Sequence, residues 1–172
     1  MTRPGIRISL TLGVALIGAA PWSIAAAEMK FHYDCRVTHT EHVPQMGRQG
    51  ETVEMTHFTC HISGGILEGF VAIGTNLLEL HEEGERLVGS TVVAQKGDSM
   101  LAYEVNDAMR RLRKNDGVVR WESTGTGIYN RATGSAAPLA GKSFTALVRS
   151  AGPRAFTIDT VVSDLPAMSG GP

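Results

Sequence analysis

Apolar and β-branched residues recur at every second position through most of this chain, in short runs broken by glycine-rich turns, and no long helical period competes with them. That alternation points to strands with one buried face. It predicts segments near Lys30–His42, Thr52–Ser63, Leu67–Gly74, Leu77–Glu82, Leu87–Gln95, Met100–Asn106, Val118–Thr124, Lys142–Arg149 and Phe156–Ser163. The last of these shows the pattern well, with Phe156, Ile158, Thr160 and Val162 on one side and Thr157, Asp159 and Val161 on the other. Turns fall at Pro44–Gly50, Gly64-Gly65, Glu83-Gly84, Lys96–Ser99, Asn115–Gly117 and Gly134–Gly141, where glycine or asparagine takes positive φ at little cost. About eight antiparallel strands in one domain must bury their alternating face in a closed barrel or a sandwich, and a closed barrel is the expected fold.

The first 27 residues differ from the rest. Arg3 and Arg7 precede an apolar run from Ile8 to Ala20, and the segment closes on Ala25-Ala26-Ala27, the layout of a cleavable secretory signal. The run is too short to span a bilayer, and Pro21 interrupts it, so no membrane anchor is expected after cleavage. The expected location is periplasmic or secreted, with one barrel domain over 28–165 and a disordered tail over 166–172. Removing the two arginines of the signal takes the formal charge from −1 to −3, which argues against a nucleic-acid partner. The run Arg110-Arg111-Leu112-Arg113-Lys114 is flanked by Asp107 and Asp116 and reads as a solvated turn or strand face.

Five of the six histidines, His32, His39, His42, His57 and His61, crowd into one stretch with the two cysteines, Cys35 and Cys60. If Lys30–His42 and Thr52–Ser63 form a hairpin around Gly47-Arg48, Cys35 lies directly opposite Cys60, so an intrachain disulfide is expected in an oxidising compartment. Cys35, Val37, Phe58, Cys60 and Ile62 then share an apolar, inward face. On the polar face His61 lies opposite Asp34, with His32 as a diagonal neighbour and His57 two residues along. His32, Asp34 and His61 are candidate ligands for a weakly held divalent transition metal, and a solvated polar strand face accounts for the same residues. No cofactor is required by any motif.

Other candidates are less localised. In Met100–Asn106 either Glu104 or Tyr103 faces inward. An inward Glu104 would be a carboxyl group among apolar neighbours, suited to proton transfer, whereas an inward Tyr103 leaves Glu104 in solvent. Glu79 and His81 share a strand face and can form a carboxylate-oriented imidazole. Trp121 and Tyr129 are large rings placed to stack on a planar ligand at the barrel rim. No G-x-S-x-G, P-loop or dinucleotide fingerprint is present.

The segment Gly125-Thr126-Gly127-Ile128-Tyr129-Asn130-Arg131-Ala132-Thr133-Gly134, preceded by the turn Lys96-Gly97-Asp98, resembles the G-T-G-x-(Y/F)-x-x-A-(T/R)-G stretch of the allene oxide cyclase barrel superfamily, which includes exported bacterial members and plant dirigent proteins. In that group the glycines would bend a strand at the barrel rim and the aromatic would cover the barrel end. The resemblance implies an eight-stranded barrel, a homotrimer, and an interior that holds an apolar ligand, with cofactor-independent cyclisation or isomerisation among the activities. The histidine-rich N-terminal half matches no catalytic motif of that family. Two functions follow as expectations: an exported barrel that binds a small apolar or aromatic molecule, with or without turnover, and a non-catalytic metal-binding or structural protein built on the histidine-rich hairpin.

Overall fold

A computed structural model describes residues 28–44, 52–81, 84–115 and 118–166 of the protein. The signal-like segment over 1–27 and the tail from 167 onward lie outside the described residues. Eight antiparallel strands run in sequence order: β1 (Met29–Pro44), β2 (Thr52–Ser63), β3 (Val71–His81), β4 (Gly84–Lys96), β5 (Ser99–Asn115), β6 (Val118–Ala132), β7 (Lys142–Gly152) and β8 (Ala155–Pro166). Each pairs with its neighbour, and β1 pairs with β8 to close the barrel. Closure gives each strand a partner on both sides, although β1 beyond Arg36 runs past the start of β8. Among the described residues no helix is long and apolar enough to cross a membrane.

Two sequence expectations need correction. Val71–Gly74 of one expected segment and Leu77–His81 of the next belong to a single strand, β3, and Leu67 ends a short 3₁₀ turn, Gly65–Leu67, instead of opening a strand. The second concerns Gly125-Thr126-Gly127, which does not bend the chain at a rim but lies within β6. Gly127 is there for space: a Cβ at this position would overlap both the Phe144 ring and the Glu104 carbonyl oxygen. Gly74 plays the same part for the Phe58 ring, which would lie 2.8 Å from a Cβ at its Cε2.

The hairpin register is the expected one over its first half. Cys35 pairs with Cys60 and Asp34 with His61, and a bulge between Val37 and His39 then shifts the pairing by one residue. The Cys35–Cys60 disulfide forms across the two strands with a Cα separation of 4.0 Å, and both residues are buried.

Side-chain size divides the interior in two. At the end where the chain enters and leaves, large inward residues fill the barrel. Tyr33, Tyr129, Phe70, Phe144 and Leu101 are all buried there. The 3₁₀ turns at Gly65–Leu67 and Gly134–Leu139 touch each other across this end and drop Leu67 and Leu139 into it as a plug. Toward the other end the inward positions turn small: Ser90, Ala108, Ser123, Gly125 and Ala146. Interiors pack to crystal-like density where side chains can reach one another, so these small inward residues on β4, β5, β6 and β7 leave space unfilled.

Candidate functional site

That space is a cavity of about 220 Å³, which among the described residues extends toward the end of the barrel opposite the plug. Its floor is formed by Val92, Tyr103, Phe144 and Thr160, and its walls by apolar residues that include Phe58, Leu78, Val105, Phe156 and Ile158. Trp121 stands near the mouth with Arg110, Glu54, Asn76 and Arg154. Barrel mouths of this kind, apolar with a few convergent polar groups, are favoured sites for small molecules.

Bulges shape the mouth. The pairing slips between Leu77 and Leu78 where β3 meets β4, between Asn106 and Met109 where β5 meets β6, and between Ser150 and Gly152 where β7 meets β8. An extra residue bends a strand and reverses which of its side chains face inward. In β5 the inward set accordingly passes from Leu101, Tyr103 and Val105 to Ala108 and Arg110. The residues read from sequence as a solvated basic run thus include one that faces the cavity.

Arg110 is held from three sides. Its guanidinium lies 4.0 Å over the Trp121 ring, its Nη1 donates to the Glu85 carboxylate from the neighbouring strand, and Glu54 adds a second negative charge close by. Burial pushes the Glu85 carboxyl above its ordinary range, with the Arg110 charge opposing that shift and the Glu54 charge adding to it. Burial also lowers the Arg110 pKa, while the two carboxylates raise it. The Glu54 Oε1 accepts a hydrogen bond from the Thr56 hydroxyl at 2.9 Å, which fixes this carboxylate at the cavity wall. With Arg154 also on the lining, Arg110 and Arg154 stand against Glu54 and Glu85 around the mouth.

Below the floor lies a cluster of aromatic rings. Tyr103 meets Tyr33 edge-on at 6.3 Å between centroids, Tyr129 at 5.5 Å and Phe144 at 5.3 Å, arrangements in which a positive ring edge meets a negative face. Burial raises the pKa of all three phenols well above the ordinary range, so each stays a neutral donor at any working pH.

The candidate residues divide between inside and outside. Tyr103 faces the cavity, and Glu104 is exposed on the outer face, because the inward parity of β5 at this level is set by Leu101, Tyr103 and Val105. Glu104 therefore cannot act on a molecule held in the barrel. Trp121 lines the cavity near its mouth. Tyr129 does not share that rim: eight residues further along β6, it packs under the floor at 4.6 Å from Phe144. Glu79 lies on the strand face opposite the buried Leu78, and the His81 side chain lies outside the described residues.

The proposed metal residues sit on the outer face. His32 Nδ1 lies 2.7 Å from Asp159 Oδ1 and its Nε2 3.4 Å from Asp34 Oδ1. Arg149 continues the row, with its Nη1 3.1 Å from Asp159 and its Nε 3.3 Å from Glu122. His61 is exposed opposite Asp34, and His57 bonds to the Thr75 hydroxyl at 2.9 Å. Among the described residues no group of three or more His, Cys, Asp or Glu is arranged to hold a metal ion.

Sequence reasoning did not single out Glu54, Glu85 or Arg110. Glu54 was within reach, since carrying the inward face of Phe58, Cys60 and Ile62 two steps back along β2 arrives at Thr56 and Glu54. Arg110 and Glu85 were hidden by the bulges. Compared with known proteins, the chain matches no family model, no curated protein and no solved structure.

Proposed function

We propose that this protein binds a small apolar or aromatic molecule inside its barrel. The carrying observation is the cavity of about 220 Å³, floored by an aromatic cluster and walled mostly by apolar side chains. The similarity of Gly125–Gly134 to the allene oxide cyclase superfamily supports the same reading. The buried Cys35–Cys60 disulfide and the signal-like residues 1–27 support export to an oxidising compartment, periplasmic or extracellular.

Turnover by isomerisation or cyclisation is a second reading, and one observation favours it: the Glu54 carboxyl lines the cavity, where a bound molecule would meet it. In that role Glu54 takes the place that the sequence offered to Glu104. Titration with 2-ethylnaphthalene, followed by methyl NMR, tests the binding itself. Val92 and Val105 should shift, and the exposed Ile73 and Val93 on the outer face should not. Shifts confined to Ile73 and Val93 would contradict it.

A further inference from the structure

A row of hydrogen-bonding side chains crosses four neighbouring strands on the cavity wall. Thr40 pairs with Thr56, Thr56 with Asn76 and Asn76 with Ser90, so β1, β2, β3 and β4 each contribute one member, and all four line the cavity. Strict alternation from Val37 and from Leu87 would turn Thr40 and Ser90 outward. The extra residues Thr38 in β1 and Val88 in β4 bring both to the inner face. Among the described residues the Thr56 hydroxyl donates to Glu54, while the side chains of Thr40, Asn76 and Ser90 make no hydrogen bond. Ser90 is only 7% exposed, so its hydroxyl is withdrawn from bulk water while the residue faces the cavity. Polar groups held away from bulk water are normally paired, and here the space for a partner is the cavity itself. The remaining arc is different in character. There β5, β7 and β8 present Val105, Ala146, Val148, Phe156 and Ile158, and the one hydroxyl of β8 on this lining, Thr160, is turned to the Phe31 carbonyl at 3.4 Å. Ser123 on β6 stands apart, paired with Arg110 toward the mouth.

On the reading of the cavity as a ligand site, we infer that its ligand is an uncharged, flat molecule with an amide-type edge, as in a fused-ring lactam, set against Asn76 with its carbocyclic side on the β7–β8 wall. A side-chain amide offers both a donor and an acceptor, and a cis amide answers it with two parallel hydrogen bonds. The Ser90 and Thr40 hydroxyls donate or accept as further groups on that edge require. No charged side chain belongs to the row. The carboxylate beside it, Glu54, is bonded by Thr56 and lies close to Arg110, so an ionised group seated there would lose its hydration without a free counter-charge. A hydrocarbon of the same shape would leave Asn76 unpaired, and a site built to hydrogen-bond its ligand discriminates against such an analogue.

Two probes of similar outline, quinolin-2-one and 2-methylnaphthalene, test this by calorimetry on the unmodified protein and on Asn76→Leu. The substitution should weaken binding of the lactam about tenfold, the worth of one to two net hydrogen bonds, and leave 2-methylnaphthalene bound at least as tightly as before. The orientation of the bound lactam gives a readout that needs no variant to fold. In the unmodified protein its N–H should show a nuclear Overhauser effect to the Asn76 side-chain amide, and its benzo-ring protons should show one to the Val148 and Ile158 methyl groups. Equal factors of change for the two probes in Asn76→Leu, a lactam held with its benzo ring against Asn76, or binding of 2-methylnaphthalene alone would overturn the inference while leaving the binding cavity standing. Failure of both probes to bind would instead overturn the cavity reading, and the inference with it.

Discussion

Arg110 rests its guanidinium 4.0 Å above the Trp121 indole, joining the neighbouring strands β5 and β6 at the level where the cavity begins. The pair combines cation–π attraction with the ion pair to Glu85, and a planar guanidinium can satisfy both partners at once, which a lysine ammonium cannot.

Arg110→Met keeps bulk over Trp121 but leaves Glu85 and Glu54 facing each other without a cation. The expected loss at pH 7.5 is about 1–3 kcal/mol, below the value for a fully buried pair because both partners are partly exposed. A carboxyl whose folded pKa is raised adds stability at low pH and loses that contribution as the pH rises through its folded value. The Arg110→Met penalty should therefore shrink when urea unfolding is repeated at pH 4.5, and an equal penalty at both values would remove the electrostatic account.

The Cys35–Cys60 bridge closes a span of 25 residues through the β1–β2 hairpin. Its removal in Cys35→Ala/Cys60→Ala should cost ~2–4 kcal/mol, chiefly by freeing the unfolded chain. Intact mass of the oxidised protein should rise by two hydrogens on reduction under denaturing conditions. Two free thiols before reduction would contradict the bridge.

Gly127 and Gly89 make a matched pair for testing close packing. A Cβ at Gly127 overlaps Phe144 and the Glu104 carbonyl, whereas at Gly89 it meets nothing within 4 Å. Gly127→Ala should destabilise by about 1–3 kcal/mol, with the double variant Gly127→Ala/Phe144→Leu recovering only part, since the backbone contact remains. Gly89→Ala should lie within about 0.5 kcal/mol of the unmodified protein in denaturant unfolding.

His32 bridges β1 and β8, and its hydrogen bond to Asp159 raises its pKa above the ordinary 6.5, against a smaller opposing effect of burial. A histidine whose folded pKa is raised contributes stability in full below its unfolded pKa and loses it as the pH rises through the folded value. The difference in melting temperature between the unmodified protein and His32→Gln should be largest near pH 5.5 and narrow by pH 8.5. The effect should be small, since both side chains are over two-fifths exposed. A gap that widens with pH would reverse the assignment.

The sequence carried the barrel wall more clearly than the barrel contents. Strict alternation in Phe156–Val162 and the pairing of Cys35 with Cys60 identify inward faces, because a period of two permits no other assignment while the ladder is regular. The stretch Leu101–Val105 was undecidable, since apolar residues stand on both faces and the choice between Tyr103 and Glu104 depended on which face the neighbouring strands buried. Arg110 was hidden for a different reason. The slip between Asn106 and Met109 reverses the parity of β5, so counting from Tyr103 places Arg110 outside when it stands at the mouth. The convergence of Tyr33, Tyr103 and Tyr129 depends on three strands that are far apart in sequence, and no local pattern could indicate it.

Binding of a small apolar molecule in the cavity is tested most directly by titrating the chain from Glu28 onward, in which Trp121 is the sole tryptophan, with N-phenyl-1-naphthylamine. Excitation of Trp121 and emission from the probe read the distance between them. The unmodified protein should show saturable one-site energy transfer, and Ala146→Phe, which fills the cavity from its wall, should abolish it without lowering the melting temperature; Val148→Phe provides a second filling variant. No saturable transfer in the unmodified protein, or transfer undiminished in folded Ala146→Phe and Val148→Phe, would contradict a ligand site inside the barrel.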